Sequence, residues 1–121
     1  MIVGIGVDTV DIGRFERQLE RTPKLLTRLF SEREQSLSTH SLAARFAARE
    51  ALIKALGDSW NLTWGDFEVT RDEQRSPEFI MTPGLEAVLK ERGADRIHLT
   101  MTHDAGIATA FVVVESRGSA S

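Results

Sequence analysis

Residues 45–57, RFAAREALIKALG, determine how the rest of the chain is arranged. The stretch consists of good helix formers without internal proline or glycine, and it ends at Gly57, where a left-handed C-terminal cap is expected. Apolar side chains occupy most of the helix circumference, which indicates a helix buried on more than one side. The sequence therefore predicts a central helix around which the other elements pack.

Charged residues interrupt this apolar helix at four positions: Arg45, Arg49, Glu50 and Lys54. Spacings of four residues place the two arginines on one face and Glu50 with Lys54 on another. One interpretation is a surface Glu–Lys pair beside two solvated arginines. The other is that the helix brings a carboxylate and several cations into a site for a charged ligand. The helix alone leaves both open.

The composition is typical of one soluble globular domain. The chain has 121 residues, 41% of them hydrophobic and 27% charged, which suffices for a modest core. The absence of cysteine excludes disulfides and zinc–thiolate sites and fits a reducing compartment. The first residues, MIVGIGVD, lack the basic segment of a signal peptide, and no run is long enough to span a membrane. We therefore expect a cytoplasmic protein without a membrane partner.

The net charge of −3 is unevenly distributed along the chain. Residues 1–13 carry two acids (−2), residues 14–54 carry nine Lys and Arg against five Glu (+4), and residues 55–121 carry six against eleven acids (−5). A locally basic region on an acidic protein predicts an anionic partner that binds one patch. It argues against general nucleic-acid binding, which usually accompanies a basic domain.

The N-terminal residues alternate with the period of a strand. Val3, Ile5 and Val7 form one face, and two glycines followed by Asp8 form the other. Glycines on one strand face allow another backbone or a ligand to approach closely. Asp8 is expected at the end of the strand, where it either projects into a site or caps the following turn.

Three short helices are predicted before the central one. They begin at Asp11, at Pro23 and at a capping box of Ser31 with Glu34. The first has three arginines on one face: Arg14, Arg17 and Arg21. We expect Ser41 to cap the central helix.

The second half of the chain is mainly strands. Residues 67–69 and 79–81 predict a hairpin, residues 85–92 a helix, and residues 97–102 and 107–115 two strands joined by a turn at 103–106. Residues 117–121 are a polar tail. The sequence thus predicts a single α+β domain over residues 1–116, with a largely antiparallel sheet packed on a long central helix.

Three features point to phosphoryl-transfer chemistry: Asp8 after a glycine-faced strand, Glu50 with Lys54 on the central helix, and His103 at a turn. Magnesium usually takes one or two protein carboxylates and leaves its other positions to water and phosphate. Neighbouring arginine and lysine side chains supply a phosphate clamp. Phosphoryl transfer needs this combination of metal and cations to neutralise charge on the transferring group.

Three motifs follow one another over nearly the whole chain. They are GIGVD at residues 4–8 running on to Arg14-Phe15, RFAAREA at residues 45–51 with KALG at 54–57, and LTMTH at residues 99–103 before the closing apolar strand. Together they resemble the holo-acyl-carrier-protein synthases, the short type of 4′-phosphopantetheinyl transferase. The departures are Arg49 where that family commonly has Lys, Thr100 and Thr102 where Ser is usual, and an Asp104 that is not general.

The resemblance implies a 4′-phosphopantetheinyl transferase-like fold and activity. Such an enzyme moves 4′-phosphopantetheine from coenzyme A to a serine of apo-acyl carrier protein, releases 3′,5′-ADP, requires Mg²⁺ and supports fatty acid biosynthesis. By motif position, Asp8 and Glu50 would bind the metal, and with Lys54 they form the catalytic set. The residues implied for coenzyme A are Arg45, Arg49, Lys54 and His103.

The resemblance further implies a homotrimer with its sites between subunits, which would explain why so small a domain has a central helix that is apolar all round. The face of Arg14, Arg17 and Arg21 would dock the acidic carrier protein. The general base is left open between a metal-activated water, a carboxylate and Asp104. Two alternatives also stay open: another metal-dependent nucleotide enzyme, because Gly-x-Gly-x-Asp occurs in other phosphate-binding loops, and a non-catalytic trimeric binding module.

Overall fold

The structure, a computed structural model, describes residues 1–118, so the end of the predicted polar tail, residues 119–121, lies outside the described residues. Its elements, in chain order, are β1 (Ile2–Asp11), α1 (Ile12–Arg21), α2 (Lys24–Leu29), α3 (Thr39–Leu56), a 3₁₀ turn (Trp64–Phe67), β2 (Val69–Arg71), β3 (Pro77–Phe79), α4 (Pro83–Glu91), β4 (Arg96–Asp104) and β5 (Ile107–Glu115). Among the described residues, no helix is both long and apolar enough to cross a lipid bilayer.

The structure has two antiparallel sheets, and all three strands of the larger one contact the central helix α3. The larger has the strand order β1-β5-β4, and the smaller is the hairpin of β2 with β3. The predicted α+β class, with an antiparallel sheet on a long central helix, is confirmed.

The two glycines of β1 allow α3 to lie directly against the sheet. A Cβ atom at Gly4 would lie 1.9 Å from the carbonyl oxygen of Ala55, and one at Gly6 would lie 2.0 Å from that of Ala51. The glycine face of the strand therefore touches helix backbone, which only residues without a side chain permit. Asp8 is the next residue on this face, because side chains alternate along a strand.

The core of a single chain accounts for the apolar circumference of α3. Leu52 and Leu56 are fully buried against Val112 and Val114 of β5 and Leu85 of α4. The expectation that the helix is apolar all round because neighbouring subunits cover it is therefore wrong.

An exposed apolar patch lies on the outer face of the larger sheet, while Trp60, Trp64 and Met81 are exposed elsewhere. Ile5 and Val7 of β1 are 59% and 50% exposed, and Phe111 of β5 is 42% exposed. The strand register places Phe111 beside Val7, so these side chains form one patch. We call it the outer sheet face below.

Two predicted site residues, Asp8 and His103, lie within strands and not at a strand end or in a turn as expected. β1 continues three residues beyond Asp8, because these residues pair with the start of β5, so Asp8 lies within the strand. His103 and Asp104 likewise belong to β4. The turn consists of Ala105 and Gly106, whose φ values of 51° and 77° match a two-residue hairpin turn.

Of the helix caps predicted for α1 and α3, the first is confirmed and the second is wrong. Asp11 caps α1 by accepting a hydrogen bond from the Arg14 backbone nitrogen at 2.9 Å, as expected. The cap of α3 is Ser38 and not Ser41, because the helix begins one turn earlier and the Ser41 nitrogen donates to Ser38 Oγ.

The capping box of Ser31 and Glu34 forms, but no helix follows it. The backbone nitrogen of each residue donates to the side chain of the other, as in a capping box. Residues 32–36 nevertheless form turns, and Glu34 is buried with its second carboxylate oxygen bonded to the Val69 nitrogen. The predicted third helix is therefore replaced by a turn held by tertiary contacts.

Candidate active site

Asp8 and Lys54 meet where β1 crosses α3. The Lys54 ammonium donates to Asp8 Oδ1 and to the Val7 carbonyl oxygen, both at 3.0 Å. The Asp8 side chain is 18% exposed, whereas that of Lys54 is 57% exposed. The carboxylate is thus held firmly against the helix, and the cation reaches it from the solvent side.

Glu50 has a cationic partner of its own. Its Oε2 lies 3.3 Å from Arg49 Nη1, and the Arg49 guanidinium also stands over the Phe67 ring, 5.3 Å from the ring centroid. The interpretation of Glu50 and Lys54 as a helix surface pair is therefore wrong, because Lys54 reaches across to β1.

These carboxylates suit a hard divalent cation. Asp8 and Glu50 are oxygen donors on two elements packed against each other, and a positive group already stands against each of them. Within residues 1–118, no three His, Asp or Glu side chains come together as a ready-made metal cage. A metal held by two carboxylates, with its other positions left to water and phosphate, is the arrangement that magnesium accepts.

Arg45 lies on the other side of α3, in a second polar region that contains two cavities. It is 8% exposed, its Nε lies 3.4 Å from Glu34 Oε2, and its Nη1 donates to the Ser41 carbonyl oxygen at 3.4 Å. It borders a cavity of about 580 Å³, which four arginines line: Arg33, Arg45, Arg71 and Arg75. It also borders a cavity of about 90 Å³ beside His40 and His103.

The charge balance of this region favours an anion. Burial lowers the pKa of Arg45, the Glu34 carboxylate partly offsets this effect, and the nearby Arg71 lowers the pKa further. A negatively charged ligand in the cavity would stabilise the charged guanidinium. The rings of His40 and His103 are 5.3 Å apart at the edge of the same region and add further hydrogen-bonding groups.

The predicted site residues therefore form two groups within one chain. Lys54 is nine residues from Arg45, which places them roughly 180° apart around the helix. Asp8 on β1 and His103 on β4 flank β5, so strand spacing separates them by about 10 Å across the sheet. One group consists of Asp8, Glu50 and Lys54, and the other of Arg45 and His103. Arg49 lies between them, because it pairs with Glu50 but also borders a small pocket with Arg45.

The sequence did not predict several residues that line the two cavities. The basic cavity also includes Arg71 and Arg75, which reach it from the β2–β3 hairpin, and His40 borders the smaller cavity. No spacing rule links Arg71 and Arg75 to α3, whereas His40 lies in the first turn of α3 itself. Glu34 had a signal in its capping pattern, which fixed its local contacts but not its pairing with Arg45. Asp104 follows His103 in a strand, so its side chain projects from the opposite sheet face.

The three arginines predicted for docking are exposed on α1: Arg14, Arg17 and Arg21. Arg21 borders a groove of about 390 Å³ between α1 and α2. Its apolar lining comes from both helices and α3: Phe15, Leu25, Leu29 and Phe46. An apolar groove with Arg21 at its edge, on a helix that also exposes Arg14 and Arg17, suits an acidic, amphipathic partner.

Known proteins resemble the chain in both sequence and fold. The 4′-phosphopantetheinyl transferase superfamily matches residues 4–112. The holo-[acyl-carrier-protein] synthase of Leifsonia xyli is 59% identical over 115 residues, which cover 95% of this chain and 98% of that protein.

Two solved structures are similar to the whole fold. The Helicobacter pylori holo-[acyl-carrier-protein] synthase in complex with coenzyme A has a TM-score of 0.80 and 30% identity, over 92% of this chain and 99% of that one. The Bacillus anthracis holo-(acyl-carrier-protein) synthase in complex with CoA (3′,5′-ADP) has a TM-score of 0.76 and 32% identity, over 96% and 98%. Identity of this extent, over nearly the full length of the relatives, places the chain in the 4′-phosphopantetheinyl transferase superfamily, as a member of the holo-[acyl-carrier-protein] synthase family.

Proposed function

We propose that the protein transfers 4′-phosphopantetheine from coenzyme A to a serine of apo-acyl carrier protein. The serine hydroxyl oxygen attacks the phosphorus linked to pantetheine, the bond from that phosphorus to the nucleotide oxygen breaks, and 3′,5′-ADP leaves. The serine proton passes to a base. The observation that carries this proposal is the pairing of a carboxylate–lysine group with a cavity lined by four arginines, in a chain whose relatives include coenzyme A complexes.

The Asp8 side of the site is assigned to the reacting phosphate. Asp8 and Glu50 would hold Mg²⁺, which supplies charge neutralisation on the transferring group when bound. Lys54 contacts Asp8 through a long and partly exposed side chain, so its ammonium can turn toward a phosphate oxygen. Its positive charge then stabilises the charge that develops in the transition state.

The Arg45 side is assigned to the nucleotide. Arg45 and His103 would hold phosphate groups of coenzyme A, and Arg71 adds a further cation to the same cavity. Arg49 is given a smaller role in binding coenzyme A, because its guanidinium already stands over the Phe67 ring and pairs with Glu50. We expect it to orient Glu50 more than to bind ligand.

A homotrimer with its sites between subunits is part of the proposal. The two residue groups lie on opposite sides of α3, so a neighbouring subunit could bring its Arg45 to the Asp8 of this one. The outer sheet face supports assembly, because its exposed apolar patch would be buried by a second copy.

Mixing inactive variants tests this arrangement. Asp8→Ala and Arg45→Gln should each abolish most transfer, and Glu50→Gln should be nearly as damaging as Asp8→Ala. Unfolding and refolding the Asp8→Ala and Arg45→Gln chains together should restore part of the activity, because some mixed sites then contain both native residues. Mixed oligomers without restored activity would place the whole site in one chain.

The carrier protein is proposed to dock on the exposed arginines of α1, which begins shortly after Asp8 in the chain. An acidic partner held there would deliver its serine toward Asp8. The wider role proposed is the priming of carrier protein for fatty acid biosynthesis in the cytoplasm, with which the absence of cysteine is consistent.

Release of 3′,5′-ADP separates this proposal from its rivals. We expect release only when Mg²⁺, coenzyme A and apo-acyl carrier protein are all present. A non-catalytic binding module would release none, and a different nucleotide enzyme would not require the carrier protein.

A further inference from the structure

Glu34 is a buried carboxylate to which the proposed reaction gives no role. It is 5% exposed and lies in a turn before α3. Its Oε1 accepts a hydrogen bond from the Ser31 nitrogen, and its Oε2 accepts one from the Val69 nitrogen, both at 3.1 Å. Because Val69 begins β2, one carboxylate joins the turn to the β2–β3 hairpin.

The same carboxylate is the charge partner of Arg45. Glu34 Oε2 lies 3.4 Å from Arg45 Nε, although that nitrogen makes no hydrogen bond of good geometry. Arg45 is 8% exposed, and a guanidinium buried with so little compensation is unfavourable. Without Glu34, we expect the side chain to leave this position for solvent.

Glu34 also fixes the spacing of two cations. Arg45 lies on α3, whereas Arg71 ends the strand that Glu34 holds through Val69. Both arginines line the cavity of about 580 Å³. One buried carboxylate therefore contacts both elements from which these cations enter the cavity.

We propose that Glu34 is a positioning residue, which holds Arg45 in the orientation that binds an anionic group of coenzyme A. The proposal rests on the function proposed above. Glu34 also borders the cavity, but a carboxylate repels an anionic group, so it acts through Arg45.

Whether replacing Glu34 weakens or strengthens anion binding distinguishes a positioning role from a purely electrostatic one. Removing a negative charge next to an anion-binding cavity should strengthen anion binding. Positioning predicts the opposite for Glu34→Gln: weaker binding by about tenfold or more, as expected when a buried charge loses its partner. Glu68 provides the electrostatic comparison, because it lines the same cavity but pairs with Arg33 at 2.9 Å instead of Arg45, and it accepts a hydrogen bond from Ser31 Oγ at 3.0 Å. Glu68→Gln should leave the affinity unchanged or raise it.

Calorimetric titration of the full chain with coenzyme A tests the proposal without requiring turnover. The proteins are the wild type, Glu34→Gln, Glu68→Gln, Arg45→Gln and the double variant Glu34→Gln/Arg45→Gln, each titrated below its own thermal transition. Because Glu34 acts through Arg45, the double variant should bind no more weakly than Arg45→Gln alone. A purely structural role would instead give losses that add.

A second variant keeps the test decisive if Glu34→Gln is too unstable to titrate. Glu34→Asp retains the charge but is one methylene shorter, and its smaller loss should also vanish in the Arg45→Gln background. The proposal is overturned if both Glu34 variants bind coenzyme A like the wild type, or if their losses add to that of Arg45→Gln. A wild-type protein that fails to bind coenzyme A would overturn the proposed function itself, which is a distinguishable result.

Discussion

Replacing Gly6 with alanine tests whether direct contact between β1 and α3 builds the site. The added Cβ would lie 2.0 Å from the Ala51 carbonyl oxygen and 2.8 Å from the Ala55 nitrogen, both backbone atoms. Reaching 3.0 Å, the closest distance that real Cβ atoms adopt, requires the strand and helix to separate by at least 1.0 Å. Forcing extra volume into a packed core costs about 1–3 kcal/mol, and a rigid backbone neighbour places this variant near or above the upper value.

The displacement should also damage catalysis. Asp8 is two residues from Gly6 on the same strand face, and its 3.0 Å contact with Lys54 spans the gap that opens. A misplacement of about 1 Å in a catalytic group can reduce the rate about 100-fold. We therefore expect Gly6→Ala to lower both the free energy of unfolding and the turnover of the remaining folded protein.

Urea unfolding and steady-state transfer kinetics measure the two effects. Gly13→Ala is the matched control, because Gly13 lies in the first turn of α1 and its added Cβ would make only ordinary contacts, with Arg17 Nη1 at 3.4 Å and with the capping Asp11 Oδ1 at 3.5 Å. Because Gly13 is in the first turn and not in the helix interior, that variant should be at least as stable as the wild type, with unchanged turnover. A Gly6→Ala protein as stable and active as the wild type would refute the close packing of β1 on α3.

Three further predictions concern Lys54, the exposed arginines of α1, and Asp66. Lys54→Ala should lower kcat by about 10²–10³-fold with little change in the Michaelis constant for coenzyme A, while the loss of its partly exposed ion pair should change the stability by less than about 1 kcal/mol; an effect on that Michaelis constant alone would move Lys54 to substrate binding. Arg14→Glu together with Arg21→Glu should raise the Michaelis constant for apo-acyl carrier protein steeply and leave that for coenzyme A nearly unchanged, so equal effects on both constants, or none, would contradict the docking assignment. Burial opposes ionisation of Asp66, but hydrogen bonds from two threonine side chains and a backbone nitrogen lower its pKa overall. The ionised side chain should therefore stabilise the fold above its unfolded pKa, and this contribution should be lost as the pH falls below about 4. Urea unfolding across this pH range should show a smaller loss of stability for Asp66→Asn than for the wild type, and parallel curves would contradict the assignment.

The order of elements was predictable because local signals and tertiary packing agree there. Apolar helix formers ending at Gly57 gave α3 its C-terminal end, where Gly57 has a φ of 83°. Alternation in β1 and the apolar run of β5 likewise predicted two strands, which the structure pairs antiparallel. Asp11 could be recognised as a cap because its contact spans three residues.

Features that depend on distant contacts could not be predicted. The Ser31–Glu34 pattern is identical in a helix start and in a buried turn, and only the contacts with Val69 and Arg45 distinguish them. Lys54 has a partner four residues away in sequence, but β1 offers it a carboxylate 46 residues away. The separation of Asp8 from His103 follows from the strand order β1-β5-β4, to which no single motif refers.

The most direct test of the central claim is the intact mass of apo-acyl carrier protein after incubation with the protein, coenzyme A and Mg²⁺. We predict that the carrier protein gains the mass of one phosphopantetheine group at a single serine, and that the gain disappears when Mg²⁺ is chelated or when Asp8→Ala replaces the wild type. A carrier protein of unchanged mass, with the enzyme folded and coenzyme A intact, would contradict the proposed transfer.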